Sequence, residues 1–153
     1  MAELAAFCTG SWATSAETNA GSGSWEAAAC RCLQDLEILE PDWLALLKQW
    51  EQAPELPGFA PQDPEKLERI AVYFAFRYLL KAVNDGDLLG RAQFCALGVL
   101  VTDRLSRFVG LPEALRLFSR EIEHNEDNLD TLLEQFWQTE GLSLSALLAA
   151  FGG

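Results

Sequence analysis

One histidine, His124, is all that 153 residues provide, which excludes any site built on several imidazoles. Basic residues are scarce as well. The 11 Lys and Arg face 23 Asp and Glu, for a formal net charge of −12. A surface that acidic repels nucleic-acid backbones and anionic membranes and favours basic partners. The four cysteines, Cys8, Cys30, Cys32 and Cys95, lack the two-residue spacing of a zinc knuckle or redox loop. Cys30 and Cys32 lie two apart in a helical pattern, so their side chains diverge. Free thiols in a reducing compartment are the expectation. Met1 to Cys8 contains an acid and no basic run, unlike a secretory signal. The longest uncharged apolar run, Ala92 to Val101, is far shorter than the roughly 20 residues that span a bilayer. A soluble, cytoplasmic protein is expected, without nucleic-acid or membrane partners. No glycine-rich loop follows a strand to cradle a cofactor phosphate or methyl donor.

What remains is hydrophobic and helical. Apolar residues make up 50% of the chain, which excludes general disorder and suits one domain with a real core. Thr9 to Ser24 is rich in Gly, Ser, Thr and Ala and reads as a flexible linker, making residues 1–24 an N-terminal segment. Residues 25–153 read as a helical bundle. Trp25–Leu39 carries Ala29, Leu33, Leu36 and Leu39 at helical spacing, and Trp43, Leu46, Leu47 and Trp50 repeat the stripe after Pro41. Pro54 to Pro64 is a proline-rich loop, and Asp63-Pro64 an N-cap with its N1 proline. The helix it starts is expected to run to the turn Asn84-Asp85-Gly86-Asp87. Leu88 to Phe108 has no charge between Arg91 and Asp103 and should be central. Leu115, Phe118, Ile122, Asn125, Leu129, Leu132 and Phe136 alternate three and four apart, predicting one long helix with Asn125 as a polar seam residue. Leu144, Leu147, Leu148 and Phe151 form a last short face. The fold class is all-α, a single bundle of about six helices.

Candidate chemistry gathers near the histidine. Phe118 to Asn128 sets His124 among four acids and two amides. On the helix after Pro64, Lys81 falls inside the apolar arc at 100° per residue, and Arg77 falls on its edge. Cations facing a core require partners, because unpaired burial costs several kcal/mol. Asp85, Asp103, Glu121 and Glu123 are the candidates. The predicted polar cluster therefore comprises Arg77, Lys81, Asp85, Asp103, Glu121, Glu123, His124 and Asn128. Glu121 and His124, spaced i, i+3, are half of the pattern that holds di-iron carboxylate centres. A second such pair is missing, which leaves a single-metal site on Glu121 and His124 as the alternative to a structural histidine. No nucleophile stands at a recognisable spacing, so catalytic residues remain unassigned.

Two segments resemble a known family. Phe76-Arg77-Tyr78-Leu79-Leu80-Lys81-Ala82-Val83-Asn84-Asp85-Gly86-Asp87 is similar to a stretch near the C-terminus of flagellin lysine-N-methylases. Ser119-Arg120-Glu121-Ile122-Glu123-His124, with Asn128 following, is similar to the motif that closes them. Order and separation agree, and the resemblance covers roughly Trp25 to Phe136. That family carries an upstream cysteine-rich cluster thought to hold a metal or iron–sulfur centre. Cys30-x-Cys32 lacks its spacing, and Asn125 stands where a serine is more familiar. The resemblance implies the helical C-terminal part of such an enzyme, or a relative without the cluster, with metal centre and methyl donor held elsewhere. It implies a lysine-bearing, flagellin-like partner.

Three functional readings follow. The first is an accessory or recognition module of protein lysine methylation, not catalytic alone, whose acids cluster on one face to meet a basic client. The second is a small metal-dependent enzyme using Glu121 and His124. The third is a structural bundle without enzymatic activity, homodimeric through Leu144–Phe151 or exposed tryptophans.

Overall fold

Helix propagates wherever apolar residues recur three and four apart, and the bundle is assembled from such stripes. In the computed structural model, residues 24–52 and 64–152 are described. The segments read as linker and proline-rich loop lie outside them, apart from Ser24 and Pro64, which open helices. In chain order the elements are α1 (Ser24–Asp35), α2 (Pro41–Glu51) and α3 (Pro64–Tyr78). A 3-10 turn (Leu79–Lys81) leads into the short α4 (Ala82–Asp85), then α5 (Leu88–Val109) and α6 (Leu111–Phe118). A π segment (Ser119–Glu123), α7 (Glu126–Gln138), a 3-10 turn (Glu140–Leu142) and α8 (Leu144–Gly152) complete the chain. Among the described residues there is no strand, and the fold is an all-α bundle. No helix among them is long and apolar enough to cross a membrane.

α5 is the axis. Every residue from Gln93 to Ser106 is buried, as a helix without a polar face must be. α3, α6, α8, α2 and α7 all pack against it. Gly98 lets α3 approach closely, since a Cβ there would stand 3.0 Å from the Phe74 ring. Phe74, Tyr78, Phe94 and Phe118 cluster at the centre, edge to face in most pairs and tilted in Phe74–Tyr78 and Phe94–Phe118, with centroids 4.7–6.4 Å apart once Trp43 is counted against Phe118. Trp43, Leu46, Leu47 and Trp50 are all buried on α2, the stripe their spacing predicts. Gly86 and Gly110 adopt φ of 73° and 84°, the left-handed region that ends α4 and α5 at little steric cost.

Two helices expected to be continuous are not. The helix after Pro64 tightens into a 3-10 turn at Leu79–Lys81 before α4. Three residues per turn replace 3.6 there, so a projection at 100° per residue loses phase. Lys81 consequently lies exposed, its ammonium 5.6 Å from the Tyr78 ring centroid. The helix starting at Leu111 widens at Ser119–Glu123, where the His124 N–H reaches back five residues to the Ser119 carbonyl at 2.9 Å. It then stops. Asn125 is not a seam residue: its backbone is extended and its side chain accepts from the Asn128 N–H at 3.2 Å, making it the N-cap of α7.

Candidate functional site

The π segment sits between two halves of the bundle. Residues two apart on a helix point to nearly opposite sides, so Glu121 and Glu123 serve different neighbours. Glu121 is fully buried, and its carboxylate accepts from the backbone N–H groups of Leu39 at 2.9 Å and Glu40 at 2.6 Å. Those donors belong to the connection between α1 and α2, where neither is satisfied within a helix. Asn128 grips the same connection. Its side-chain oxygen accepts from the Glu37 N–H at 3.0 Å, while its amide donates to the carbonyls of Glu37 and Glu121 at 2.9 Å each. Asn125 adds a longer contact, 3.4 Å, to the Glu37 carboxylate.

Glu123 faces α3. One of its oxygens accepts from the hydroxyls of Tyr73 and Tyr78, both at 2.9 Å, and Arg77 lies 3.8 Å away. Arg77 also donates to the Tyr78 oxygen at 3.1 Å, so guanidinium, phenol and carboxylate form a chain. Burial is the main cause that pushes the Tyr78 hydroxyl above its ordinary range, and the adjacent Glu123 charge and hydrogen bond add to it. Tyr73 shifts the same way for the same causes.

The eight residues expected in one cluster occupy separate settings. Arg77 meets Glu123, and Glu121 and Asn128 together hold the α1–α2 connection. Asp85 caps the Asp87 N–H at 2.9 Å and pairs with Arg91 at 2.7 Å, which holds its carboxyl below the usual range. Asp103 lies on α5 and pairs with Arg107 at 3.6 Å, one turn on. Lys81 and His124 are exposed. Tyr73, Tyr78 and the backbone of Glu37–Glu40 complete the arrangement, and none of them is among the residues the sequence assigns to it. Backbone donors carry no residue signature. The break before α7 did carry one: Asn125-Glu126-Asp127 is an N-cap followed by acids in the first turn.

A metal centre finds little support in this geometry. Both Glu121 oxygens are engaged by backbone donors, and His124 lies in solvent. Among the described residues no group of three or more His, Cys, Asp and Glu is placed to hold a metal ion. The three cysteines among the described residues, Cys30, Cys32 and Cys95, do not fit an iron–sulfur centre either. Cys32 donates to the Gln135 side-chain oxygen Oε1 at 3.2 Å and Cys95 to the Phe74 backbone carbonyl at 3.4 Å, on different elements. Burial, with Glu51 and Glu26 nearby, pushes the Cys30 thiol up to about 12, disfavouring the thiolate that ligation requires.

A different surface is organised by charge. After Arg120 the chain contains no Lys or Arg. The outer face of α7 presents Glu126, Asp127, Asp130 and Glu134, all exposed, and Trp137 beside them is 73% exposed. At 100° per residue Trp137 projects between Glu126 and Asp130. No family model, curated protein or solved structure matches the chain.

Proposed function

We propose that the chain is a non-catalytic recognition module for a lysine-bearing protein segment, acting as an accessory in protein lysine methylation. The observation that carries this reading is the α7 face: four exposed acids, no Lys or Arg on the helix itself, and a protruding indole one turn beyond Glu134 on the same side. Acids steer a cationic segment and suppress acidic competitors. An exposed tryptophan supplies apolar contact and a π face for an ammonium group. The buried network behind it keeps α7 seated, because Asn128 ties its first turn to the α1–α2 connection. The methylation context and the flagellin-like client come from the resemblance of Phe76–Asp87 and Ser119–Asn128.

The test is titration of a labelled, lysine-rich flagellin segment against the full chain, followed by fluorescence anisotropy. Binding should weaken as salt rises. Glu134→Lys and Trp137→Ala should each weaken it by about tenfold or more, equivalent to ~1.4 kcal/mol. Affinity unchanged in both variants would reject this face as the client site.

A further inference from the structure

Exposed apolar bulk is concentrated in one stretch of the chain. Nine large apolar side chains are exposed among the described residues, and six of them fall within residues 73–89: Tyr73, Phe76, Leu80, Val83, Leu88 and Leu89. Scattered single side chains need no explanation, whereas a contiguous group marks a contact surface. These six are 45–85% exposed. At roughly 80 Å² for each, they offer about 500 Å² per copy of the chain. Two such surfaces together bury about 1,000 Å², the size at which specific interfaces begin.

Charge balance and spacing both favour a second copy as the occupant. Residues 64–89 carry four cations (Lys66, Arg69, Arg77 and Lys81) and four acids (Glu65, Glu68, Asp85 and Asp87), so this stretch is neutral in a chain of −12. Arg77 is turned onto Glu123, and Asp85 onto Arg91. No excess of either sign selects a charged partner here. Copies that repel one another elsewhere meet across this stretch without net repulsion. Tyr73, Phe76, Leu80 and Val83 are spaced three, four and three, which reads the same from either end. Two rows laid antiparallel set Tyr73 opposite Val83 and Phe76 opposite Leu80, an aromatic ring against a smaller aliphatic side chain in every pair. The 3-10 turn at Leu79–Lys81 shortens the repeat where the row crosses it, and Leu80 and Val83 stay exposed along with Phe76.

We propose that the chain forms a symmetric dimer, the α3–α4 rows of two copies packed antiparallel about a two-fold axis between Phe76 and Leu80. The contact is isologous, each pair occurs twice, and association closes at two. No residue of α7 takes part. On the client reading the dimer carries two client faces, and a client with repeated basic segments is held at both. The dimer itself does not rest on that reading.

Sedimentation velocity on the full chain, with no client present, provides the test. The wild type should pass from monomer to dimer with concentration and go no further. Added salt should strengthen the dimer, because it screens the repulsion between two chains of −12. Phe76→Glu and Leu80→Lys should each raise the dimer dissociation constant by about tenfold or more, with helical circular dichroism unchanged. Val83→Glu repeats the test at a side chain 85% exposed, where the fold has little to lose. Mixed in equal amounts, Phe76→Glu and Leu80→Lys set one acid against one base and keep one native pair, so a 1:1 dimer should return. A wild type that stays monomeric at every concentration overturns the proposal, as does growth beyond a dimer. A dimer that survives Phe76→Glu and Val83→Glu but is lost in Leu148→Glu overturns it too, and moves the contact to α8. A mixture that fails to pair rejects the antiparallel register. Trp137→Ala should leave the dimer intact, so failure of the client site and failure of the dimer are read separately.

Discussion

Replacing Asn128 by aspartate changes one NH2 group for one oxygen and leaves the side-chain shape intact. Asn128 is 3% exposed and makes three hydrogen bonds, two of them as donor. Asn128→Asp keeps the acceptor for the Glu37 N–H but removes both donors. The carbonyls of Glu37 and Glu121 lose a partner, and each then faces a carboxylate oxygen at about the former bond length. A buried group left unsatisfied costs about 1–3 kcal/mol, and two of them cost about 2–6 kcal/mol before any penalty for a buried charge. That is a large share of the roughly 5–15 kcal/mol available to a domain. Urea denaturation followed by tryptophan fluorescence is a suitable assay, because Trp25, Trp43 and Trp50 are buried. Asp127→Asn, exposed on the same helix, serves as the control and should stay within about 0.5 kcal/mol. The loss should shrink at low pH, where protonation of the introduced carboxyl restores a donor. A midpoint for Asn128→Asp as close to wild type as the control's would refute the idea that Asn128 holds the α1–α2 connection.

Two further outcomes are expected. The fold should lose stability in alkali, because the Cys30 thiol is raised from 9.0 to about 12 and Tyr78 is raised above 10.0. The folded state holds these protons more tightly than the unfolded chain. Their contribution is thus complete below about pH 9 and declines as pH climbs toward 12, by at most ~1.4 kcal/mol per pH unit for each group. Cys30→Ala should flatten that decline in urea titrations between pH 9 and 11, and parallel profiles would count against it. Gly98→Ala should lower the thermal midpoint by an amount equivalent to up to about 2 kcal/mol. The helix-propensity gain of about 1 kcal/mol is outweighed by overpacking, since the new Cβ meets a fully buried Phe74 ring already packed against Tyr73, Tyr78, Phe94 and Phe118. A raised midpoint would mean the ring cluster yields.

Most of the architecture was legible in the spacing of apolar residues. The Trp43–Trp50 stripe, the charge-free core of α5 and the turns at Gly86 and Gly110 could all be read from residue type. Periodicity failed where the helical repeat itself changes. Lys81 closes a 3-10 turn and Asn125 lies past a π segment, and neither departure leaves a mark on an apolar pattern read at one pitch. The polar residues were identifiable as needing partners, but not which partners. Glu121 is satisfied by the backbone of Leu39 and Glu40, about 80 residues earlier in the chain, and any residue at those positions other than proline supplies the same N–H. Tyr73 and Tyr78 fit equally well as ordinary aromatic packing.

The π segment makes chain length, as much as residue identity, a requirement of the fold. Removing or adding one residue between Phe118 and Glu121 would turn every following side chain of the helix by roughly a quarter turn. Glu121 and Glu123 would then swing off the backbone of Leu39 and Glu40 and off the two tyrosines, and the capping of α7 by Asn125 would fall out of step. Sequences sharing this fold should therefore tolerate substitution across the exposed positions of the stretch far better than insertion or deletion. A search keyed to an ungapped Glu-x-Glu followed five residues later by Asn would find them more readily than one keyed to the histidine.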